Sequence, residues 1–286
     1  MHWNTHSMTS TKEYTAKLYR GHHGPDDNLG SAFAEFLSTL DGCEHLCSDE
    51  RYGFQIISID NGFIFGTVKT YREDTPHIGK PAGDERPVDM GIDEYIIEKA
   101  FFLYSRSYNI MALQMSDMYR SPNKIAKVLN HAQSSKAIYF SSIVSEDALR
   151  RIAENKHEIK RFECSIALPA ARNSIPADDW SKAALTLAEG APCRLVFTLS
   201  GSARGTAKEP LEPSAVERII QGATKGFLDK AKATTMDGEP IDLLSDRLSG
   251  KIYPALAGKH PMPESVKNEL IRIFDDNKTA LESYKP

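Results

Sequence analysis

The stretch "SIDNGFIFGTVKTYRED", residues 58–74, decides how the rest of the chain is read. Apolar residues alternate with small or polar ones up to Asp60, Asn61-Gly62 interrupts, and the alternation resumes until it ends in Lys69, Tyr71 and Arg72. Alternation at period 2 is the pattern of a strand. Asn-Gly between two such runs favours a type I′ hairpin turn, because both central residues must take positive φ and these two do so at least cost. Pairing Asp60 with Phe63 across the turn puts Ile57, Ile59, Ile64 and Val68 on one face. Phe54, Phe63, Phe65, Lys69 and Tyr71 fall on the other. The first face is core. The second is either a platform on which bases stack, each worth about 1–3 kcal/mol, or a second core face covered by helices. Large aromatics usually lie inside, so burial is expected, with the Lys69 and Arg72 end reaching solvent.

At 286 residues, 41% hydrophobic and 26% charged, the chain has the composition of a soluble globular protein with one large or two ordinary domains. Nothing approaches the roughly 18 consecutive apolar residues of a membrane helix, and "MHWNTHSMTSTKEY" lacks the apolar centre of a signal peptide. A cytoplasmic protein is expected. The cysteines Cys43, Cys47, Cys164 and Cys193 are too few for a disulfide framework. Cys43 and Cys47 with His45 between them lack a second ligand pair at zinc-site spacing, so no metal and no cofactor is expected. Cys164 and Cys193 read as small core residues.

The formal charge of −4 hides a local asymmetry. Residues 73–99 carry eight acids against three bases, and residues 120–161 nine bases against four acids. Such a distribution permits a polyanion-binding face on an acidic protein, and alternating charges on solvated helices produce the same tally.

Around the hairpin, the sequence predicts a strand at 13–20, the loop "GHHGPDDNLG", and a helix from Ser31 with Phe33, Phe36, Leu37 and Leu40 inward and Gly42 closing its end. A Pro- and Gly-rich link then leads to a short helix, on one face of which Asp89, Asp93, Glu94 and Glu98 would lie, and to a second hairpin turning near 105–107. Ser121-Pro122 starts a helix that buries Ile125, Val128 and Leu129. A strand at 138–144 precedes a basic helix with Leu149 and Ile152 inward. "RFECSIAL" and "CRLVFTLS" are alternating strands that flank an Ala-rich helix at 178–189. A helix at 214–224 with Val216, Ile219 and Ile220 inward, a hairpin turning at Asp237-Gly238, and a C-terminal helix at 264–283 complete the chain. Hairpins and helices without a regular βαβ rhythm indicate α+β. The expected organisation is a larger globular domain of antiparallel sheet and helices, residues 1–159 and 226–286, with a smaller mobile α+β domain at 160–225.

No P-loop, GxGxxG, HExxH or GxSxG motif is present. His22, His23, Asp26 and Asp27 could hold a divalent metal for phosphodiester hydrolysis, or form a polar turn. No catalytic residue is assigned, and a metal-dependent nuclease stands as the alternative enzyme reading. Basic residues near the end of the chain point elsewhere. Lys230 and Lys232 alternate, so a strand projects both from one face about 6 to 7 Å apart, comparable with successive phosphates. Arg204 and Lys208 lie in the glycine-rich "SGSARGTAK". Arg218 and Lys225 are seven apart on one side of a helix. These residues position a phosphate backbone without reading bases. The other alternative is a protein-interaction module that presents Phe54, Phe63 and Phe65 to a partner.

"AFAEFLSTL", "IISIDNGFIFGTVKT", the Ser-Pro-capped helix, "ECSIALP", "RLVFTLS" and "DKAKATTMDGEPIDLLSDRLSGKI" occur in an order that resembles the RexA-like phage-exclusion proteins. The likeness extends more distantly to the DNA-binding partner of Kiwa-type antiphage defence. It touches most of the chain, and no single motif is diagnostic; "SGSARG" and "GHHGPDDN" have no counterpart. The resemblance implies a cytoplasmic homodimer that binds double-stranded DNA with little sequence preference, acts in abortive infection or prophage exclusion, and couples to a membrane protein encoded alongside. The family's basic-Ala-basic strand corresponds to Lys230, Ala231 and Lys232.

Overall fold

The computed structural model describes residues 11–23, 35–36, 41–42, 44–47, 50–74, 76–79, 83–91, 93–117, 119, 121–132, 138–143, 146–167, 194–201, 209–224, 230–242 and 248–282. Its class is α+β. Strands β1 (Tyr14–His23), β2 (Glu44–Cys47), β3 (Glu50–Asp60), β4 (Phe63–Arg72), β7 (Ile96–Ser105), β8 (Ile110–Gln114), β9 (Ile138–Ser142) and β14 (Ser249–Ile252) form one antiparallel sheet. Its order is β14-β1-β8-β7-β4-β3-β2, with β9 also on β1. The short strands β5 (His77–Gly79) and β6 (Glu85–Pro87) pair as a ribbon within the link. A second antiparallel sheet, β11-β10-β12-β13, contains β10 (Ile159–Ala167), β11 (Arg194–Ser200), β12 (Lys230–Thr235) and β13 (Pro240–Asp242). The helices are α1 (Asn123–Ala132), α2 (Glu146–Glu154), α3 (Pro213–Thr224), α4 (Pro263–Asp276) and α5 (Lys278–Glu282).

The deciding hairpin forms in the expected register. Asp60 pairs with Phe63, and Asn61 and Gly62 take φ of 45° and 79°, as a two-residue turn that matches strand twist requires. The face assignment needs one correction. Ile56 pairs with Gly66 but Ser58 with Phe65, so Ile57 is an extra residue, a β-bulge that inverts the alternation of everything before it in β3. Phe54 therefore joins Ile64 and Val68 rather than Phe65, and Ile56 takes the core position expected for Ile57. Ile57 and Ile59 are 40% and 54% exposed.

Both faces of the large sheet are buried over most of their area. On one, Tyr52, Phe54, Ile64, Val68, Phe102, Tyr104, Met111 and Leu113 meet Ile125, Val128 and Leu129 of α1. On the other, Leu18, Phe65, Phe101, Leu103, Ile110 and Ala112 meet Val266, Leu270, Ile273 and Phe274 of α4 and Leu281 of α5. Phe63 packs edge-on to Phe274 with ring centroids 5.3 Å apart. Phe54 and Phe65 are thus core residues, as the burial expectation had it, and offer no surface to a protein partner. Gly66 lies beneath the ring of its cross-strand partner Phe102, where a Cβ would approach the Gln55 carbonyl oxygen to 2.6 Å and the ring to 2.9 Å.

Other expectations change for local reasons. Ile96 to Ser105 is all strand, because β4 supplies a partner for every one of these residues, Glu98 against Thr70 included. The short acidic helix through Glu98 does not form. The C-terminal helix breaks at Asn277, whose side-chain amide donates to the Ile273 carbonyl at 2.8 Å. His22 and His23 continue β1 instead of starting a loop, since Gly21, His22 and His23 pair with Phe140, Tyr139 and Ile138. In the helix expected from Ser31 only Glu35 and Phe36 are described, both helical. The helix expected at 178–189 lies outside the described residues.

The smaller sheet and its core extend beyond the 160–225 interval. Ile152 of α2 and Ala231, Ala233 and Ile241 of β12 and β13 share one cluster with Phe162, Leu211 and Val216. Strands β12 and β13 therefore belong with this sheet and not with the larger one. Among the described residues no helix is long and apolar enough to cross a membrane.

Two predictions follow from the hairpin. Gly66→Ala drives a methyl into the β3 backbone and the Phe102 ring, and should lower the urea unfolding free energy by about 1–3 kcal/mol; an unchanged midpoint would contradict the packing. Asp60 accepts from Lys267 of α4 at 2.7 Å, and this hydrogen bond, opposed by partial desolvation and aided by the ammonium charge, holds its carboxyl below the usual range. A carboxylate depressed in the folded state stabilises above its unfolded pKa of about 4 and loses that contribution as pH falls through the folded value. Asp60→Asn should therefore unfold more easily than wild type at pH about 7, and the difference should shrink below pH about 4.

Candidate nucleic-acid interface

Strand β12, "KAKATT", alternates buried residues with half-buried Lys232 and Thr234. Ala231 and Ala233 are fully buried beneath α2 and α3 with Phe162, Val216 and Ile241. Small side chains there let the helices sit close to the sheet. Period 2 then places Lys230, Lys232 and Thr234 on the opposite, outer face. The register of β10 supplies their neighbours: Ser165 opposite Lys230, Glu163 opposite Lys232, Arg161 opposite Thr234. On β11 the outward positions are Arg194, Val196, Thr198 and Ser200, and Val196 is 67% exposed. Phe162 and Cys164 against Leu199 and Phe197 make up the inner face, as the alternation predicted. Burial among these apolar groups pushes the Cys164 thiol up to about 11, which keeps it neutral.

The outer face carries both signs of charge. By register, its positions are Arg161, Arg194, Lys230 and Lys232 against Glu163 and Asp242, a net of +2. Arg161 is ion-paired with Glu163 at 2.7 Å. Lys232 has Glu163 as its cross-strand partner on one side and Asp242 on the other. Lys232 thus has an acid at the register position on each side, whereas Lys230 is in register with neutral Ser165. Sequence reasoning paired the two lysines but missed Arg161 and Arg194. The signal was present in the alternation of "RFECSIAL" and "CRLVFTLS", whose polar positions had to share the lysines' face once the two strands joined the same sheet.

Of the other basic candidates, only Arg218 is described, and it is not gathered here. Arg218 lies on α3, which packs on the inner side of the sheet through Val216. Arg204, Lys208 and Lys225 lie outside the described residues.

The alternative site also changes character. His22 is fully buried in β1. Its Nε2 is hydrogen-bonded to Ser141 Oγ at 2.8 Å, and its ring stacks on Tyr139 with centroids 4.4 Å apart and planes 6° from parallel. This is a packed core histidine with satisfied polarity, and Asp26 and Asp27 lie outside the described residues. No group of three or more His, Cys, Asp or Glu side chains is placed to hold a metal among the described residues. No known protein-family model matches the chain, and no curated protein matches it.

The two faces of β12 separate by mutation. Ala233→Leu overfills the core and should cost about 1–3 kcal/mol of stability, whereas Lys232→Ala should change it by less than about 1 kcal/mol. Equal losses in denaturant titrations would contradict the assignment of faces.

Proposed function

We propose that this chain binds double-stranded DNA through its phosphate backbone, without sequence preference, and that the outer face of the smaller sheet makes the contact. The observation that carries the reading is the register, which puts Lys230 and Lys232 at positions on the face of β12 opposite buried Ala231 and Ala233, with Arg161 and Arg194 at the matching positions of the adjoining strands. Side chains on strands about 4.8 Å apart form a two-dimensional array, so cations on β11, β10 and β12 can follow a backbone across the strands as well as along them. Lysine and arginine neutralise phosphates and release condensed counterions, and the gain does not depend on base identity. Glu163 and Asp242 limit the field at Lys232, which suits transient, mobile binding better than a fixed grip. In this reading two copies of the chain close their basic faces on one duplex, within a phage-exclusion or antiphage system in which a membrane partner receives the signal.

The reading favours DNA binding over hydrolysis, since His22 is committed to Ser141 and Tyr139 in the core. It favours DNA over a protein partner at the first hairpin, since Phe54 and Phe65 are already covered.

Fluorescence anisotropy with random-sequence duplex tests it. Six to ten contacted phosphates would weaken affinity roughly a thousandfold or more between 50 and 200 mM salt. Lys230→Glu/Lys232→Glu should abolish binding, and Glu163→Gln, which removes the acid beside Lys232 and Arg161, should strengthen it. Wild type that fails to bind at about 50 mM salt, or a charge-reversed variant that binds as well as wild type, would overturn the proposal.

A further inference from the structure

Among the described residues, one region of the large sheet is left uncovered. Helix α4 reaches across β14, β8, β7 and the turn end of β4, and the far ends of β4 and β7, with β3 beyond them, extend past it on the same face. There Lys69 and Lys99 are direct cross-strand partners, and so are Tyr71 and Ile97. Gly53 pairs with Lys69 and Arg51 with Tyr71. Ile97 is 55% exposed, and Gln55 and Lys99 are exposed.

Three features of this region work against stability. Like charges directly opposite on a sheet are destabilising, yet neither Lys69 nor Lys99 has an ion-pair partner among the described residues. The Lys99 ammonium leans over the Phe101 ring at 5.5 Å. A glycine inside a strand weakens it and marks a close approach. At Gly53 the approaching group is Tyr71, laid across the strand so that a Cβ would meet its hydroxyl at 2.7 Å. The third feature is the exposed isoleucine. Tyr71 is held in place by Tyr95 edge-on at 6.0 Å, and Tyr95 is itself covered by the Arg51 guanidinium at 4.8 Å. The only carboxylate at a register position of this region among the described strands is Glu44, opposite Gly53 on β2.

We propose that this surface is a second nucleic-acid site that takes single strands, with Lys69, Lys99 and Arg51 facing phosphates and Tyr71 and Ile97 against an unpaired base. Single-strand binders combine a cationic track with aromatic groups on which bases stack, and both are fixed here by the sheet. An anionic ligand would relieve the opposition of Lys69 to Lys99. The inference is independent of the duplex reading, which concerns different residues on a different sheet.

The test is anisotropy of the full chain with a labelled oligothymidylate of about 20 nucleotides and with an abasic oligomer of equal length, which keeps the phosphates and loses the bases. Oligothymidylate should bind roughly tenfold or more tighter than the abasic oligomer. Tyr71→Leu should bring it to the abasic level. Lys69→Gln/Lys99→Gln should weaken both ligands and melt no lower than wild type, because it removes a repulsion, so its loss of binding is not unfolding. Lys230→Glu/Lys232→Glu should keep the preference for bases over abasic sites. Equal affinity for the two oligomers, or affinity unchanged in the glutamine pair, would overturn the proposal. Displacement of the oligonucleotide by polyglutamate of equal charge would also overturn it, in favour of an acidic protein partner.

Discussion

The register of one hairpin governs the large sheet. Asn61 and Gly62 fix Asp60 against Phe63, and the extra residue Ile57 then turns β3 over relative to β4. Without the bulge, Phe54 and Tyr52 would share a face with Phe65, and the layer under α1 would lose two of its largest side chains. With it, aromatics are divided between the two faces, and one helix layer can cover each. The same inversion brings Gly53 and Arg51 to the side of Lys69 and Tyr71. Core and open surface are therefore consequences of a single insertion of one residue.

Helix coverage then decides which polar residues meet solvent. Among the described residues the helices on the smaller sheet pack against one side, so alternation along β10, β11 and β12 yields an apolar inner face and a charged outer one. The large sheet has helices on both sides, and among the described residues its open area is what α4 does not reach. Both uncovered areas carry more bases than acids although the chain as a whole is acidic, and both are built on strands. Strand-borne cations have a fixed spacing, so the ordering of long side chains at the moment of binding is a smaller cost than on a loop.

Much of this was legible in the sequence where a pattern is local. Asn-Gly and Asp-Gly marked their turns correctly, the Ser-Pro pair stands directly before α1, which begins one residue later than expected, at Asn123, and Ile125, Val128, Leu129, Val266, Leu270 and Phe274 took their predicted core positions. The bulge was not legible, because "FQIISID" offers apolar residues at both parities and only the pairing with Gly66 and Phe65 chooses between them. The helix expected before the second hairpin failed because acids at helical spacing also fit a strand whose partner is already waiting, and β4 is that partner. His22 looked like a loop residue until β9 was seen to extend the pairing of β1. For the candidate interface, two lysines were legible from alternation alone. Their arginine and carboxylate neighbours depend on strand order, which no local pattern encodes.

The central claim is that lysines on β12 contact phosphates, and the salt dependence of duplex binding tests it most directly. Each phosphate contact contributes about 0.9 to the slope of log affinity against log salt. Replacing Lys230 and Lys232 by alanine should reduce that slope by about 2 per protomer engaged, with the fold intact by circular dichroism. A double variant that retains the wild-type slope would show that these lysines touch no phosphate and would contradict the account.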